Sequence, residues 1–181
     1  MVPVALIFVC GLFAWTFIEY LIHAWLSHTF NTFATPLHEA HHRDPHAVFA
    51  VGAWLPIAVS LLLAVTLFGA VPPTIFFSGL VAGFAIYEAF HYRLHFCAPL
   101  SAAEAHLRAR HLAHHYRDPA RNFGVTCQLW DLAFGTELVG RDMEYLRDAA
   151  ASVAPLDGPS NLGRLLAWRT RHDAAPAVRE R

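Results

Sequence analysis

The chain of 181 residues contains no lysine, few charged residues and only three cysteines. Its basic side chains are all arginine, charged residues make up 15% of the chain, and the formal net charge is -1 at pH 7. A near-neutral chain of this kind gives no indication of a nucleic-acid partner. Cys10, Cys97 and Cys127 are widely spaced, and none forms the C-x2-C pattern of a thiolate metal or redox site. We therefore expect unpaired thiols and neither a disulfide framework nor a cysteine-based metal site.

Apolar residues, in contrast, make up 56% of the chain. Three segments, 3–22, 47–68 and 74–92, reach the roughly 20 residues that cross a bilayer. The stretch 69–73 between the last two contains two prolines and predicts a tight turn that makes them an antiparallel hairpin. The first segment lacks a positive start and a small-residue cleavage site, so we expect a retained helix. The predicted fold class is an all-α integral membrane protein with three or four transmembrane helices, capped by a cytoplasmic helical region.

The arginines are distributed unevenly around these segments. Arg43 follows the first segment, and the other twelve arginines lie at or after Arg93. Loops rich in arginine face the cytoplasm. We therefore predict that the first interhelical loop and everything after the third segment are cytoplasmic, at the inner membrane if the cell is bacterial.

Ten of the thirteen histidines form four clusters, all on the predicted cytoplasmic side of the membrane. The clusters are His23-x4-His28, His38-x2-His41-His42, His91-x3-His95 and His111-x2-His114-His115. Imidazole binds zinc, copper, iron and nickel. Chance placement of ten histidines in this repeating pattern is very improbable. The pattern therefore predicts a multi-histidine metal site.

The spacings indicate how the imidazoles can share ions. Positions three or four apart lie on one face of a helix, so His91 and His95 form a chelating pair. Adjacent histidines in each H-x2-H-H cluster are about 100° apart around the helix, so one can bind one ion while its neighbour reaches a second. His23 and His28 are five apart and need either a distorted helix end or two different metals. Ten imidazoles exceed what one ion accepts, so we expect two ions.

Three carboxylates are candidates to orient the ligating imidazoles by accepting a hydrogen bond from the ring nitrogen that does not bind the metal. Glu19 precedes His23 by four residues, and Glu88 precedes His91 by three. An ionisable group in or at the end of an apolar helix indicates function, although both carboxylates could instead extend to water at the interface. Asp131 is the third candidate. No residues form a nucleophile–base pair, so we expect no catalytic side chains beyond the metal ligands.

Taken in order, the four clusters resemble the fatty acid hydroxylase superfamily, which contains sterol desaturase-like enzymes and fatty acyl 2-hydroxylases. The segments Asn122–Thr126, Leu129–Asp131 and Phe134–Thr136 resemble that family's ending, and the resemblance covers residues 15–137. It implies a di-iron centre ligated by all ten clustered histidines, although zinc would fit the same spacing. It also implies an O2-dependent lipid hydroxylase or desaturase, acting for example on a fatty acyl chain in lipid biosynthesis. A separate ferredoxin- or cytochrome-type protein would supply the electrons.

Several alternatives use the same histidines. A carotenoid or sterol-type hydroxylase would share the chemistry, although carotenoid hydroxylases typically have four residues within the third cluster and this chain has three. A metal transporter would need ligands near the bilayer midplane, and a b-type haem protein would leave the H-x2-H-H clusters unexplained. We expect one hydroxylase-like membrane domain over residues 1–148 and a mobile C-terminal tail over 149–181.

Overall fold

The computed structural model describes residues 3–47, 51–69 and 71–138, and every regular element within these ranges is helical. The elements are α1 (Val4–Leu21), a π-helix called π1 (Ile22–Thr29), α2 (Ala34–Arg43), a short 3-10 helix (Pro45–Ala47), α3 (Val51–Phe68), α4 (Val71–Phe96), α5 (Ala102–Tyr116) and α6 (Leu129–Phe134). For these residues the predicted all-α fold is confirmed. The predicted tail, residues 149–181, lies outside the described ranges.

Glycines allow α1 and α4 to pack with their backbones in contact. A Cβ atom on Gly79 would stand 2.2 Å from the Phe8 carbonyl oxygen and 3.0 Å from the Gly11 Cα. One turn later, a Cβ on Gly83 would stand 2.5 Å from the Trp15 Cβ. These successive contacts show that the two helices run parallel, so their C-terminal ends lie together. Small residues four apart are a common interface of membrane helices.

The predicted turn over 69–73 is partly wrong. α3 ends at Phe68 and Gly69 follows it, as expected, and α3 packs against α4 as the predicted hairpin requires. Pro72 and Pro73, however, lie in the first turn of α4. That turn tolerates proline because its N–H groups have no intrahelical acceptor. α4 therefore starts earlier than the predicted segment and extends over 26 residues.

Two helical stretches among the described residues are long and apolar enough to cross a bilayer. They are Val4–Thr29, which joins α1 and π1, and Val71–Phe96, and each has 26 residues. α3 has 18 residues and contains the shorter apolar stretch Ala58–Leu67. Large apolar side chains such as Phe13 and Leu63 point outward, which favours a lipid-facing surface. The third span and the cytoplasmic orientation stay predictions.

The start of α5 is capped and tied to the end of α4. The Ser101 hydroxyl accepts a hydrogen bond from the Glu104 N–H at 3.1 Å, which satisfies one of the unpaired donors of the first turn. The Glu104 carboxylate accepts from the Leu100 N–H at 2.7 Å and pairs with Arg93 at 2.8 Å. These bonds bring α5, which is buried from Arg108 to Tyr116, to the end of the α1–α4 pair where the histidines lie.

Candidate metal centre

All ten clustered histidines come together in two groups of five. Within each group the ligand atoms, one ring nitrogen per residue, lie within 4.8 Å of one another. Group A consists of His23, His28, His38, His42 and His114. Group B consists of His41, His91, His95, His111 and His115. Two other described histidines lie outside both groups: His46 stacks on Phe96, and His106 donates to the Gln128 side-chain oxygen at 2.8 Å.

Group A has two imidazoles that face each other and three between them. The ring centroids of His38 and His114 are 6.0 Å apart, whereas each lies 4.5 to 4.8 Å from those of the other three members. The Nε2 atoms follow the same pattern. The six separations that join either of the two to His23, His28 or His42 are 2.8 to 3.1 Å. Five donors arranged in this way form a trigonal bipyramid.

Group B repeats this arrangement, with two imidazoles from α4 in place of the two from π1. The ring centroids of His41 and His111 are 6.4 Å apart, and each lies 4.6 to 4.8 Å from those of His91, His95 and His115. The His95 Nε2 lies 3.1 Å from the His41 Nε2 and 2.7 Å from the His111 Nε2. The two groups are therefore related by an approximate two-fold symmetry that exchanges α2 with α5 and π1 with α4.

The H-x2-H-H helices α2 and α5 each contribute to both groups. On α2, His41 belongs to group B and its neighbour His42 to group A. On α5, His114 belongs to group A and His115 to group B. This division follows from the angle of about 100° between adjacent helical positions. The rings of His42 and His115 stack with centroids 4.2 Å apart and connect the two groups.

The π-helix accounts for the five-residue spacing of the first cluster. In an α-helix, positions five apart point in directions about 140° apart. Over π1 the backbone widens to i→i+5 hydrogen bonds, as in the bond from the Phe30 N–H to the Trp25 carbonyl at 2.7 Å. The wider turn brings His23 and His28 to the same side and into the same group. Of the two explanations that the five-residue spacing leaves open, the distorted helix end is the one observed.

Backbone carbonyls hold two imidazoles of group A. The Nδ1–H of His23 donates to the Phe123 carbonyl, and the Nδ1–H of His114 donates to the Arg121 carbonyl at 2.8 Å. A carbonyl oxygen only accepts, so both protons lie on Nδ1 and both Nε2 atoms carry lone pairs. These two Nε2 atoms are nevertheless 2.9 Å apart. Because neither can donate to the other, their approach becomes favourable when both bind one cation.

Burial keeps the imidazoles of α2 and α5 neutral. It lowers the pKa of His41 to about 4 and the pKa of His42 to about 3. Burial, and then the neighbouring histidines, hold the pKa of His111, His114 and His115 well below the usual range. The neutral imidazole is the form that binds a metal ion. At neutral pH these side chains are therefore in the neutral form that binds a metal ion.

Glu19 supports the loop that follows α5. Its buried carboxylate accepts hydrogen bonds from the Val125 N–H at 2.7 Å, from the Thr126 N–H at 3.0 Å and from the Thr126 hydroxyl. The same loop carries the Phe123 carbonyl that holds His23. Glu19 therefore forms hydrogen bonds with the loop itself, and it supports the His23 imidazole indirectly, through the loop backbone.

Asp131 supports the same loop from the other side. Its carboxylate accepts from the N–H groups of Phe123 and Gly124, both at 2.8 Å. It also forms a fully buried salt bridge of 3.1 Å with Arg110, whose guanidinium reaches Glu137 at 2.7 Å. Arg110 is not among the residues predicted from the sequence. Its available signal was a charged residue immediately before a ligating histidine on a buried helix.

A cavity of about 70 Å³ opens onto both groups. Its wall includes His23 and His38 from group A and His41 and His91 from group B. The Glu88 side chain also lines it, is buried, and has one carboxylate oxygen without a hydrogen-bond partner within the described part of the chain. The predicted role of Glu88 behind an imidazole stays a prediction. What the structure shows is a buried acceptor at a cavity next to the ligands.

A sequence model of the fatty acid hydroxylase family matches residues 8–136. This range extends from α1 to the end of α6 and contains all ten clustered histidines. The chain belongs to the fatty acid hydroxylase family. The resemblance stated from the four histidine clusters is thereby confirmed.

Individual fatty acid hydroxylases show the same similarity. The dihydroceramide fatty acyl 2-hydroxylase FAH1 of Arabidopsis thaliana is 32% identical over 142 residues, which cover 72% of this chain and 60% of that protein. The fatty acid 2-hydroxylase of Homo sapiens is 34% identical over 145 residues, which cover 72% of this chain and 39% of that protein. The chain thus spans less than two thirds of the length of these relatives.

A solved structure of a hydroxylase domain has a similar fold. It is full-length scs7p, of which only the hydroxylase domain is visible. The two structures superpose with a TM-score of 0.62 at 30% sequence identity, over 75% of this chain and 56% of that one. The similarity therefore lies in the fold as well as in the histidine pattern.

Proposed function

We propose that this chain is a membrane-bound, O2-dependent lipid hydroxylase that holds two iron ions with its ten clustered histidines. The approach of the His23 and His114 Nε2 atoms to 2.9 Å, with both Nδ1 protons donated to carbonyls, is the observation that carries the proposal. Group B supplies a second set of five imidazoles beside it. Membership of the fatty acid hydroxylase family favours iron. Zinc binds the same donors and can replace iron in the isolated protein.

The spacing of the ligand atoms fits an ion of ordinary size. In a trigonal bipyramid, donors at an apex and on the equator are separated by √2 times the bond length. Bonds of about 2.0–2.1 Å to imidazole therefore place them about 2.8–3.0 Å apart. The six separations of 2.8 to 3.1 Å in group A agree with this value. The donors thus match one ion per group.

The irons, when bound, supply the chemistry that activates O2 for attack on an unactivated C–H bond. In the overall reaction one oxygen atom enters the lipid as a hydroxyl group and the other leaves as water. An external ferredoxin- or cytochrome-type protein provides two electrons, and two protons come from solvent. The chain keeps its imidazoles neutral and in position. It also holds all five members of group B away from the protein surface.

The position of the cavity supports a lipid substrate. Both groups lie at the C-terminal ends of Val4–Thr29 and Val71–Phe96, the two stretches long enough to cross a bilayer. An acyl chain can reach the cavity from the bilayer while O2 and electrons arrive from the aqueous side. The similarity to a fatty acid 2-hydroxylase and to a ceramide very long chain fatty acid hydroxylase favours a fatty acyl chain. We place the histidine end at the cytoplasmic face because Arg43 lies after the first stretch and every other arginine lies at or after Arg93, near the end of the second.

Desaturation of an acyl chain, or hydroxylation of a carotenoid or sterol, would use the same centre and differ in the product. A metal transporter has less support, because its ligands should line a path near the bilayer midplane. The ten histidines instead cluster beyond the apolar middle of α1 and α4.

Metal content and product formation test the proposal together. The full chain is produced in iron-supplied cells, purified in detergent and analysed for metal per chain beside His114→Ala. We expect two metals per chain in the unsubstituted protein. In His114→Ala we expect metal to be lost and lipid hydroxylation to fall by at least about a hundredfold, because one apical donor of group A is missing. Membrane insertion should be unchanged, and Thr66→Ala on the exposed surface of α3 serves as the matched control.

Full hydroxylase activity of His114→Ala would contradict the proposal. One metal or none in the unsubstituted protein would remove the dimetal centre and favour the transporter or haem alternatives. A haem band in the absorption spectrum separates these two. Two metals with a new double bond and no added oxygen would identify a desaturase.

A further inference from the structure

The short helix α6 has its charged side chain inside and its apolar side chains outside. Asp131, the one charged residue of Leu129–Phe134, is fully buried. Leu132 and Phe134 are 53% and 50% exposed, and Leu129 is exposed as well. A helix on a water-facing surface has the reverse arrangement, with its charged groups outside. The outer face of α6, formed by Leu129, Leu132 and Phe134, therefore suits an apolar surrounding.

Contacts of Trp130 fix the position of α6 against α1. The Trp130 ring lies on Phe17, with centroids 4.6 Å apart, and reaches Phe13 at 5.8 Å. Its Nε1–H donates to the Thr16 hydroxyl at 2.9 Å. Phe13, Thr16 and Phe17 share one face of α1, because positions three and four apart on a helix are neighbours. α6 therefore packs on α1 well before the C-terminal end of that helix.

This contact lies within the apolar part of α1. Thr16 stands in the middle of Val4–Thr29, one of the two stretches long enough to cross a bilayer. It precedes His23, the first ligand in the chain, by a distance of about 10 Å along the helix. Phe13, which contacts Trp130, is itself exposed. The outer face of α6 is therefore continuous with the outward apolar side chains of α1, at a depth that the hydrocarbon core covers.

Both polar side chains of α6 have partners within the protein. Asp131 accepts from the N–H groups of Phe123 and Gly124, both at 2.8 Å, and the Trp130 N–H donates to α1. Since the interior of a bilayer offers no water, a lipid-embedded element needs such internal partners. The bonds of Asp131 also connect α6 to the loop whose Phe123 carbonyl holds His23.

We propose that the outer face of α6 lies among the acyl chains of the bilayer phospholipids, and that these lipids hold α6 where Asp131 supports group A. The lipid is here a structural partner of the metal centre, distinct from a substrate in the cavity. The proposal rests on the membrane-bound state of the proposed function and requires no turnover. The imidazoles of group B have no hydrogen bond to this loop within the described residues, so their ion should not depend on α6.

Carbene labelling from within the bilayer tests the lipid contact. The full iron-loaded chain is placed in nanodiscs of phosphatidylcholine, a small fraction of which carries a diazirine midway along one acyl chain. After illumination, lipid adducts are mapped to residues by mass spectrometry. We expect Leu132 and Phe134 to be labelled about as strongly as Ile86, an exposed residue of Val71–Phe96. Glu39, exposed on α2 at the histidine end, should stay unlabelled.

Variants at Leu132 test whether group A depends on this contact. Leu132→Asp places a carboxylate among the acyl chains, whereas Leu100→Asp makes the same change at an exposed position beyond the end of α4. We expect lipid labelling of Phe134 to fall at least about tenfold in Leu132→Asp, because a charge is strongly disfavoured in hydrocarbon. The metal content of that variant in nanodiscs should fall from two per chain toward one. Leu100→Asp, and Leu132→Phe, which keeps the face apolar, should retain two metals.

Unlabelled Leu132 and Phe134 beside a labelled Ile86 would overturn the lipid contact. Two metals retained in Leu132→Asp would overturn the dependence of group A on it. If Leu132→Asp binds no metal it has not folded, and the milder change Leu132→Ser then decides.

Product analysis under O2 decides the proposed function separately. Labelled α6 without any hydroxylated lipid would keep the lipid contact and reject the hydroxylase. Hydroxylated lipid together with an unlabelled α6 would reject the lipid contact and keep the hydroxylase.

Discussion

Groups A and B hold the same number of imidazoles in the same relative arrangement, but their surroundings differ. In group A three of the five members are partly exposed, and loop carbonyls hold two of the rings. In group B all five members are buried, and their Nδ1 atoms have no hydrogen-bond partner within the described residues. One arrangement of ligands is thus reached in two ways, by a distorted helix with loop support and by packing of regular helices.

This difference indicates where the centre is weakest. Group A depends on π1 and on the loop between α5 and α6, which contains Arg121 and Phe123. Group B depends on α4 and α5, which are tied together by the Arg93–Glu104 salt bridge. Loss of loop support should therefore affect group A first.

Asp131→Ala should produce the largest loss of stability and the clearest difference between the two groups in metal binding. The change removes two hydrogen bonds to loop N–H groups and leaves Arg110, which is fully buried, with one carboxylate partner fewer. Breaking a buried pair in this way costs about 3–5 kcal/mol. We expect that loss in denaturant unfolding in detergent, and metal content falling toward one per chain. Glu39→Ala, which removes an exposed salt bridge to Arg43, should change stability by less than about 1 kcal/mol. Equal loss of both ions in Asp131→Ala would contradict this difference between the groups.

Glu19→Ala should act in the same direction with a smaller effect. It removes three hydrogen bonds to Val125 and Thr126 but leaves no buried cation behind. We expect a loss of about 2–3 kcal/mol in the same unfolding measurement, with group A again affected first. Glu19→Gln should restore most of the stability, because its amide oxygen accepts from the N–H groups and its amide nitrogen donates to the Thr126 hydroxyl. Failure of glutamine to restore it would show that the charge, and not the hydrogen bonds, is required.

Chelation should distinguish the groups without any substitution. The partly exposed imidazoles of group A, including His28 and His42, admit solvent more readily than the buried set of group B. We expect a chelator to remove metal in two phases of equal amplitude, the first at least about tenfold faster, a rate ratio that corresponds to about 1.4 kcal/mol. A time course of metal release checks this. Release of both ions in a single phase would show that the groups open together.

Glu88→Gln should leave both groups intact and affect only the cavity they share. The free Glu88 oxygen is the feature altered, and no hydrogen bond from the described residues to it is lost. The free energy of unfolding should therefore change by less than the roughly 1 kcal/mol of a typical hydrogen bond, and both metals should stay bound. If this carboxylate accepts a hydrogen bond from the polar part of the lipid, kcat/KM for hydroxylation should fall about tenfold. Glu39→Gln, at an exposed position of α2, is the control. Unchanged turnover in Glu88→Gln would remove the residue from substrate binding.

The histidines were predictable from sequence because their spacing is itself the signal. Four clusters with helical spacing predict ten converging imidazoles, and the adjacent pairs His41–His42 and His114–His115 predict two ions. The structure brings the same ten residues together. The π-helix was one of two alternatives for His23 and His28, since a five-residue spacing does not itself determine whether the backbone widens.

The supporting contacts were not predictable in the same way. Asp131 was a candidate to support an imidazole, but its partners are backbone N–H groups whose position depends on how the loop folds. Asn122, at φ 57°, helps turn this loop and gives no sequence signal beyond its tolerance of that conformation. The Gly79-x3-Gly83 spacing was a readable signal for the α1–α4 contact and was missed. The prolines of α4 were placed in a turn, because proline ends one helix and begins another equally well.

The sharing of α5 between the two groups has a consequence for the biogenesis of the protein. Group A needs His114, which lies 91 positions after His23, and group B needs His111 and His115 from the same helix. The apolar helices α1, α3 and α4 all precede α5 in the chain and leave the ribosome before it. Neither set of five ligands is complete until α5 has been synthesised and has docked. Either metal site is therefore completed only after all three apolar helices have been synthesised, and a chain that stops before α5 would lack a complete metal site.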